Sequence, residues 1–88
     1  MRIVSGFHVR QILDEVIAVP AGEAGSIFRG IISLNELGKF LFEALDSEQT
    51  VDSLVQAVLE EYDTDPETAR ADVTEFLEHL RKAGLLIE

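Results

Sequence analysis

Hydrophobic positions along the 88 residues change their period about a third of the way in. Up to residue 32 they come in short β-branched runs; beyond it they recur every three or four residues, the period of an amphipathic helix. Phe7 to Leu13 (FHVRQIL) alternates except at Gln11 and predicts a strand. Asp14-Glu15 predicts a turn, and Val16 to Val19 a second strand. Pro20 ends that strand or confines it to an edge, because proline has no N–H to give to a ladder. Pro20-Ala-Gly-Glu-Ala-Gly25 predicts a loop. Ile27 to Ile32 predicts a third strand, with Ile27, Arg29 and Ile31 on one face and Phe28, Gly30 and Ile32 on the other.

Ser33 stands three residues before Glu36, the spacing of a capping box, and Ile32 and Leu37 have the spacing of a hydrophobic staple. A first helix is therefore expected from about Leu34 to Leu45, with Leu37, Phe40, Leu41, Ala44 and Leu45 on one stripe. Asp46 to Gln49 links it to a second, capped by Thr50, whose stripe is Leu54, Val55, Val58, Leu59 and Tyr62. Asp65 caps a third helix with Pro66 at its first position, where the missing N–H costs nothing. It runs to about Ala83, and Gly84 terminates it. Leu85, Leu86 and Ile87 are too apolar for a loose tail and are expected to dock on the core. The fold class is α+β: a three-stranded antiparallel sheet followed by three helices, winged-helix-like, in a single domain over residues 1–88.

Charge narrows the function. Seven Lys and Arg face 17 Asp and Glu, a net charge of −10. Nucleic-acid binding draws most of its affinity from cations on phosphates, and an anionic membrane repels such a chain. Neither partner is expected; a protein, peptide or basic partner is. No apolar run approaches the ~20 residues of a membrane span, no signal peptide opens the chain, and there is no cysteine, which fits the cytoplasm.

Motifs for other chemistry are weak. Asp52-Ser53-Leu54 matches the phosphopantetheine-attachment triplet of acyl or peptidyl carrier proteins, which makes a carrier with Ser53 as attachment site one alternative. Yet Val51 stands where glycine usually precedes the triplet, and strands stand where a carrier has a helix. A winged-helix DNA-binding regulator is the other alternative, opposed by the acids within the third helix. Asp63, Asp65 and Glu67 are spaced like a calcium loop, but Thr68 replaces its glycine and Thr74 its bidentate glutamate. His8 and His79 have no ligand cluster around them, so no metal is expected, and no cofactor or catalytic residue either.

Several segments, taken in order, resemble the PqqD family of small peptide chaperones, which share a fold with RiPP recognition elements. They are Gly6-Phe-His-Val-Arg10, Gly30-Ile-Ile-Ser-Leu-Asn-Glu-Leu-Gly38, Thr50-Val-Asp-Ser-Leu-Val-Gln-Ala57, Leu59-Glu-Glu-Tyr-Asp63, Glu67-Thr-Ala-Arg-Ala-Asp-Val73 and Leu80-Arg-Lys-Ala-Gly-Leu-Leu86. The resemblance covers nearly the whole chain. It implies a non-catalytic domain that holds the leader of a ribosomal precursor peptide and delivers it to a modifying enzyme, often a radical-SAM enzyme. It also implies that the leader adds as a strand beside the third strand, in a groove walled by the third helix.

The residues offer candidates for that groove. Phe28, Arg29, Gly30 and Ile31 belong to the third strand, where Gly30 either admits another backbone or makes a bulge of the chain's own. On the third helix Ala69, Val73, Phe76 and Leu80 centre the expected core face. Arg70, Thr74, Leu77 and Arg81 fall on one flank, an apolar residue between two cations. With Val73 they suit a leader carrying acidic and aliphatic residues. The opposite flank, Asp72, Glu75 and His79, disfavours such a leader. The alternatives are a core place for Val73 and Phe28, and arginines that merely pair with neighbouring acids such as Glu67 and Glu78.

Overall fold

The structure is a computed structural model and describes residues 1–22 and 30–88. In chain order the elements are β1 (Arg2–Ile3), β2 (Phe7–Ile12), β3 (Glu15–Pro20), β4 (Ile32–Leu34), α1 (Glu36–Ala44), α2 (Val51–Glu61), α3 (Pro66–Lys82) and β5 (Leu86–Ile87). Strands β2, β3 and β4 form an antiparallel sheet in that spatial order, and three helices follow. This is the expected α+β arrangement.

Register explains the alternation. Val9 lies opposite Ala18, which lies opposite Ile32, and all three turn toward the core. Ser33, opposite Ile17, turns the other way, and its hydroxyl donates to Glu15 at 3.3 Å. The hairpin turn is Leu13-Asp14 rather than Asp14-Glu15, since Ile12 pairs with Glu15. Pro20 remains in the ladder opposite Phe7 at the end of β3, where a missing N–H is tolerated.

Two local expectations need correction. The third strand, expected over Ile27 to Ile32, is described as Ile32–Leu34; Phe28, Arg29 and the rest of 23–29 lie outside the described residues. The strand therefore absorbs Ser33, which cannot also cap a helix. Asn35 is the cap, in extended conformation, and its side chain accepts the Gly38 N–H at 2.7 Å. The Ser33–Glu36 box does not form, and α1 starts at Glu36.

The other caps match the sequence. Thr50 and Ser53 form a reciprocal box at 3.0 and 2.8 Å. Asp65 accepts the Thr68 N–H at 2.6 Å with Pro66 at the helix start. Gly84, at φ 75, terminates α3: its N–H donates to the Arg81 carbonyl and that of Leu85 to the Leu80 carbonyl. This is the paired bonding of a Schellman motif. The motif turns Leu85 into the core and launches β5, which pairs with β1 in a separate two-stranded ladder. That ladder was not expected. Its β1 is further held by bonds from Ile3 N–H to the Leu45 carbonyl at 2.9 Å and from Val4 N–H to the Leu85 carbonyl at 2.8 Å.

The core gathers Ala18, Leu34, Leu41, Leu45, Leu54, Val58, Ala69, Val73, Leu77, Leu80 and Leu85. Phe42 joins it edge-on to Phe7, with ring centroids 5.3 Å apart. On α3 the buried row is Ala69, Val73, Leu77 and Leu80, so Leu77 takes the place expected for Phe76.

Candidate functional site

Beside β4 lies a groove of about 570 Å³. One bank is the strand and its exit, from Ile31 to Asn35; the other is the stripe Asp72, Glu75, Phe76, His79 and Ala83 of α3. Leu37, Gly38 and Leu41 of α1 close one part of the floor, with Leu80 and Leu85 beneath. The exposure of Leu77 decides which stripe of α3 borders the groove. At 2% it fills the core beside Ala69, Val73 and Leu80, so the buried face is turned slightly from the expected setting and Phe76 is left at the groove.

Gly38 lets the two helices meet here. A Cβ at that position would stand 3.0 Å from Asn35 Oδ1 and 3.4 Å from Phe76 Cε1. The Phe76 ring is consequently laid against α1, half-buried, with one side left to the groove.

β4 ends its sheet: among the described residues no strand pairs with its second edge. In an antiparallel pair, backbone groups alternate between facing the partner and facing away. Outward-facing N–H and C=O groups of the 32–34 stretch therefore stand at the groove, an arrangement that can pair with another extended chain.

The expected site residues divide. Ile31 lines the groove and is 58% exposed, and Gly30, at φ 125, adjoins it. Phe28 and Arg29 lie outside the described residues. Val73 is fully buried, and Leu77 nearly so, which gives both a core place. Arg70 and Thr74 do not line the groove; they border a neighbouring depression whose described lining residues all belong to α3 and which shares Glu75 and His79 with the groove. Arg70 donates to Asp52 of α2 at 2.7 Å rather than to Glu67. Arg81 holds Glu78 at 2.8 Å and grips Glu88 with two nitrogens at 3.0 Å each, which pulls the Glu88 carboxyl below its ordinary range. The basic rim is thus not assembled at the groove. Phe76, His79, Asp72 and Glu75 are the groove residues the helical wheel placed elsewhere. The signal that could have found them is Gly38, whose lack of a side chain marks where an aromatic ring approaches.

Ser53 is engaged in the α2 cap: its hydroxyl accepts the Thr50 N–H and donates to Gln49 Oε1 at 2.7 Å. Among the described residues no three His, Asp or Glu are grouped to hold a metal ion, and no helix is long and apolar enough to cross a membrane.

A sheet whose terminal strand β4 faces the last of three helices across an apolar groove defines the class of PqqD-like recognition domains. The family model described as coenzyme PQQ synthesis protein D (PqqD) matches residues 16–86, and the chain belongs to that family. Among solved structures, TbiB1 in complex with the TbiA(beta) leader peptide has the same fold, with a TM-score of 0.73 and 24% identity. The match covers 98% of this chain and 94% of that one. No curated protein matches.

Proposed function

We propose that this domain binds the leader region of a ribosomal precursor peptide without catalysing a reaction itself, and presents it to a modifying enzyme such as a radical-SAM enzyme. The leader adds as a further strand on the open edge of β4, and alternate side chains enter the groove against Phe76 and Leu80. The observation that carries this reading is the terminal position of β4 beside an apolar-floored groove. Strand addition supplies main-chain hydrogen bonds for affinity, while the groove reads every second side chain. Membership of the PqqD family supports the reading, as does a structural neighbour that was solved with a leader peptide. Of the residues expected from sequence, Gly30 and Ile31 belong to this proposal; Phe76 and His79 join them.

Amide hydrogen exchange tests it. A synthetic leader, taken from a short peptide gene adjacent to this one, should slow exchange in the 31–34 stretch and leave β2 unchanged. Protection on the outer edge of β2, or none anywhere, rejects strand addition at β4.

A further inference from the structure

We infer that the groove selects a basic and aliphatic peptide, the reverse of the acidic leader suggested by the arginines of α3. The inference rests on the strand-addition reading and adds the chemistry of the occupant. The floor is apolar, supplied by Leu37, Leu41, Leu80 and Leu85. Among its described lining residues the ionisable ones are Asp72, Glu75 and His79, and none is Lys or Arg. All three are exposed and stand at i, i+3 and i+7, in one row along the helical bank.

Asp72 and Glu75 make no ion pair among the described residues. The arginines of the same helix do not neutralise them, because Arg70 is held by Asp52 and Arg81 by Glu78 and Glu88. Along the helix axis the two acids are about 4.5 Å apart. Same-face residues of an extended peptide are about 6.6–6.8 Å apart. One lysine or arginine on the peptide therefore answers to both carboxylates, and its next same-face neighbour falls on apolar surface. The net charge of −10 draws such a peptide in from a distance and repels an acidic one.

Random short peptides displayed on phage can be selected on the intact domain, and the enriched sequence resynthesised with its basic residues kept or changed to Gln or Glu. Fluorescence anisotropy should show the basic form binding about three- to tenfold tighter than the Gln form, as two exposed charge pairs allow. The Glu form should be weaker still, and high salt should narrow the spread. Asp72→Lys with Glu75→Lys should invert the order, while Arg70→Glu, on the other flank, should leave it. Enrichment of neutral or acidic peptides, or an order indifferent to the double variant, overturns the basic preference. Strand addition would survive that result if the 31–34 amides were still protected. If no selected peptide protects those amides, strand addition fails and this inference with it.

Discussion

Leu77 and Phe76 are consecutive residues of α3 with different surroundings: Leu77 is buried among Leu80, Val73 and the other helices, while the Phe76 ring lies against Gly38 and borders the groove. The pair separates stability from recognition. Leu77→Ala should destabilise the domain by about 2–5 kcal/mol through lost burial and a residual cavity. Phe76→Ala removes a half-buried ring and should cost less stability but more peptide affinity. Urea denaturation beside a peptide titration on both variants checks this; equal effects on both readouts would contradict the setting of α3.

The cap of α1 gives a second contrast. Asn35 accepts the Gly38 N–H, whereas Ser33 bonds across the sheet to Glu15 at the surface. Asn35→Ala should cost about 1 kcal/mol, the usual value for losing a helix cap. Ser33→Ala should change the unfolding midpoint little. If the serine variant suffers the larger loss, the helix begins where the capping-box spacing suggested.

Leu13 sits in the hairpin turn at φ 58 and is 91% exposed. A left-handed conformation costs an L-residue roughly 1–2 kcal/mol, and glycine avoids it at the expense of a looser unfolded chain. Leu13→Gly should therefore stabilise the domain, by about 0.5–1 kcal/mol once both terms are counted. Thermal unfolding would register the gain as a higher Tm; a lower one would mean the side chain holds the turn.

Acid should weaken the fold through two carboxylates. The Thr68 backbone N–H, bonded to Asp65, holds that carboxyl below its usual range, and Arg81 does the same for Glu88. A depressed folded pKa means that the folded state binds fewer protons than the unfolded one. The stabilisation is then complete above the unfolded value, roughly pH 4, and is lost as pH falls through the folded value. Asp65→Asn keeps a capping side chain that does not titrate. Together with Glu88→Gln it should flatten the acid limb of the urea midpoint against pH. An unchanged limb would place the titration elsewhere.

Gly38→Val brings a branched side chain into a space bounded by Asn35 and Phe76. Overpacking of this kind costs typically 1–3 kcal/mol, here added to a displaced cap. A wild-type urea midpoint in that variant would show that α1 and α3 can separate without penalty.

Local chemistry was legible in the sequence because it acts over a few residues. The Thr50 and Asp65 caps, the Gly84 terminator and the apolar stripe of α2 each follow from spacing alone, whereas the stripe expected on α1 omitted the buried Phe42. The succession of β2, β3 and the three helices follows too, although β1 and β5 did not show; the family came from the resemblance of ordered segments. Which of Phe76 and Leu77 enters the core was not legible. Phe76 and Leu77 are both apolar and both adjoin the stripe of Ala69, Val73 and Leu80, so periodicity fits either one inside. The choice belongs to packing, which seats Leu77 among the core leucines and gives Phe76 the space over Gly38. The same holds for charge: seven cations and 17 acids were countable, but their partners were not. Arg70 meets Asp52 from 18 residues away, and Arg81 meets Glu88 across the turn that Gly84 makes. The tertiary fold spends the arginines on these pairs and turns Asp72 and Glu75 toward the groove. The sign of its helical bank is therefore a long-range property, which no helical wheel contains.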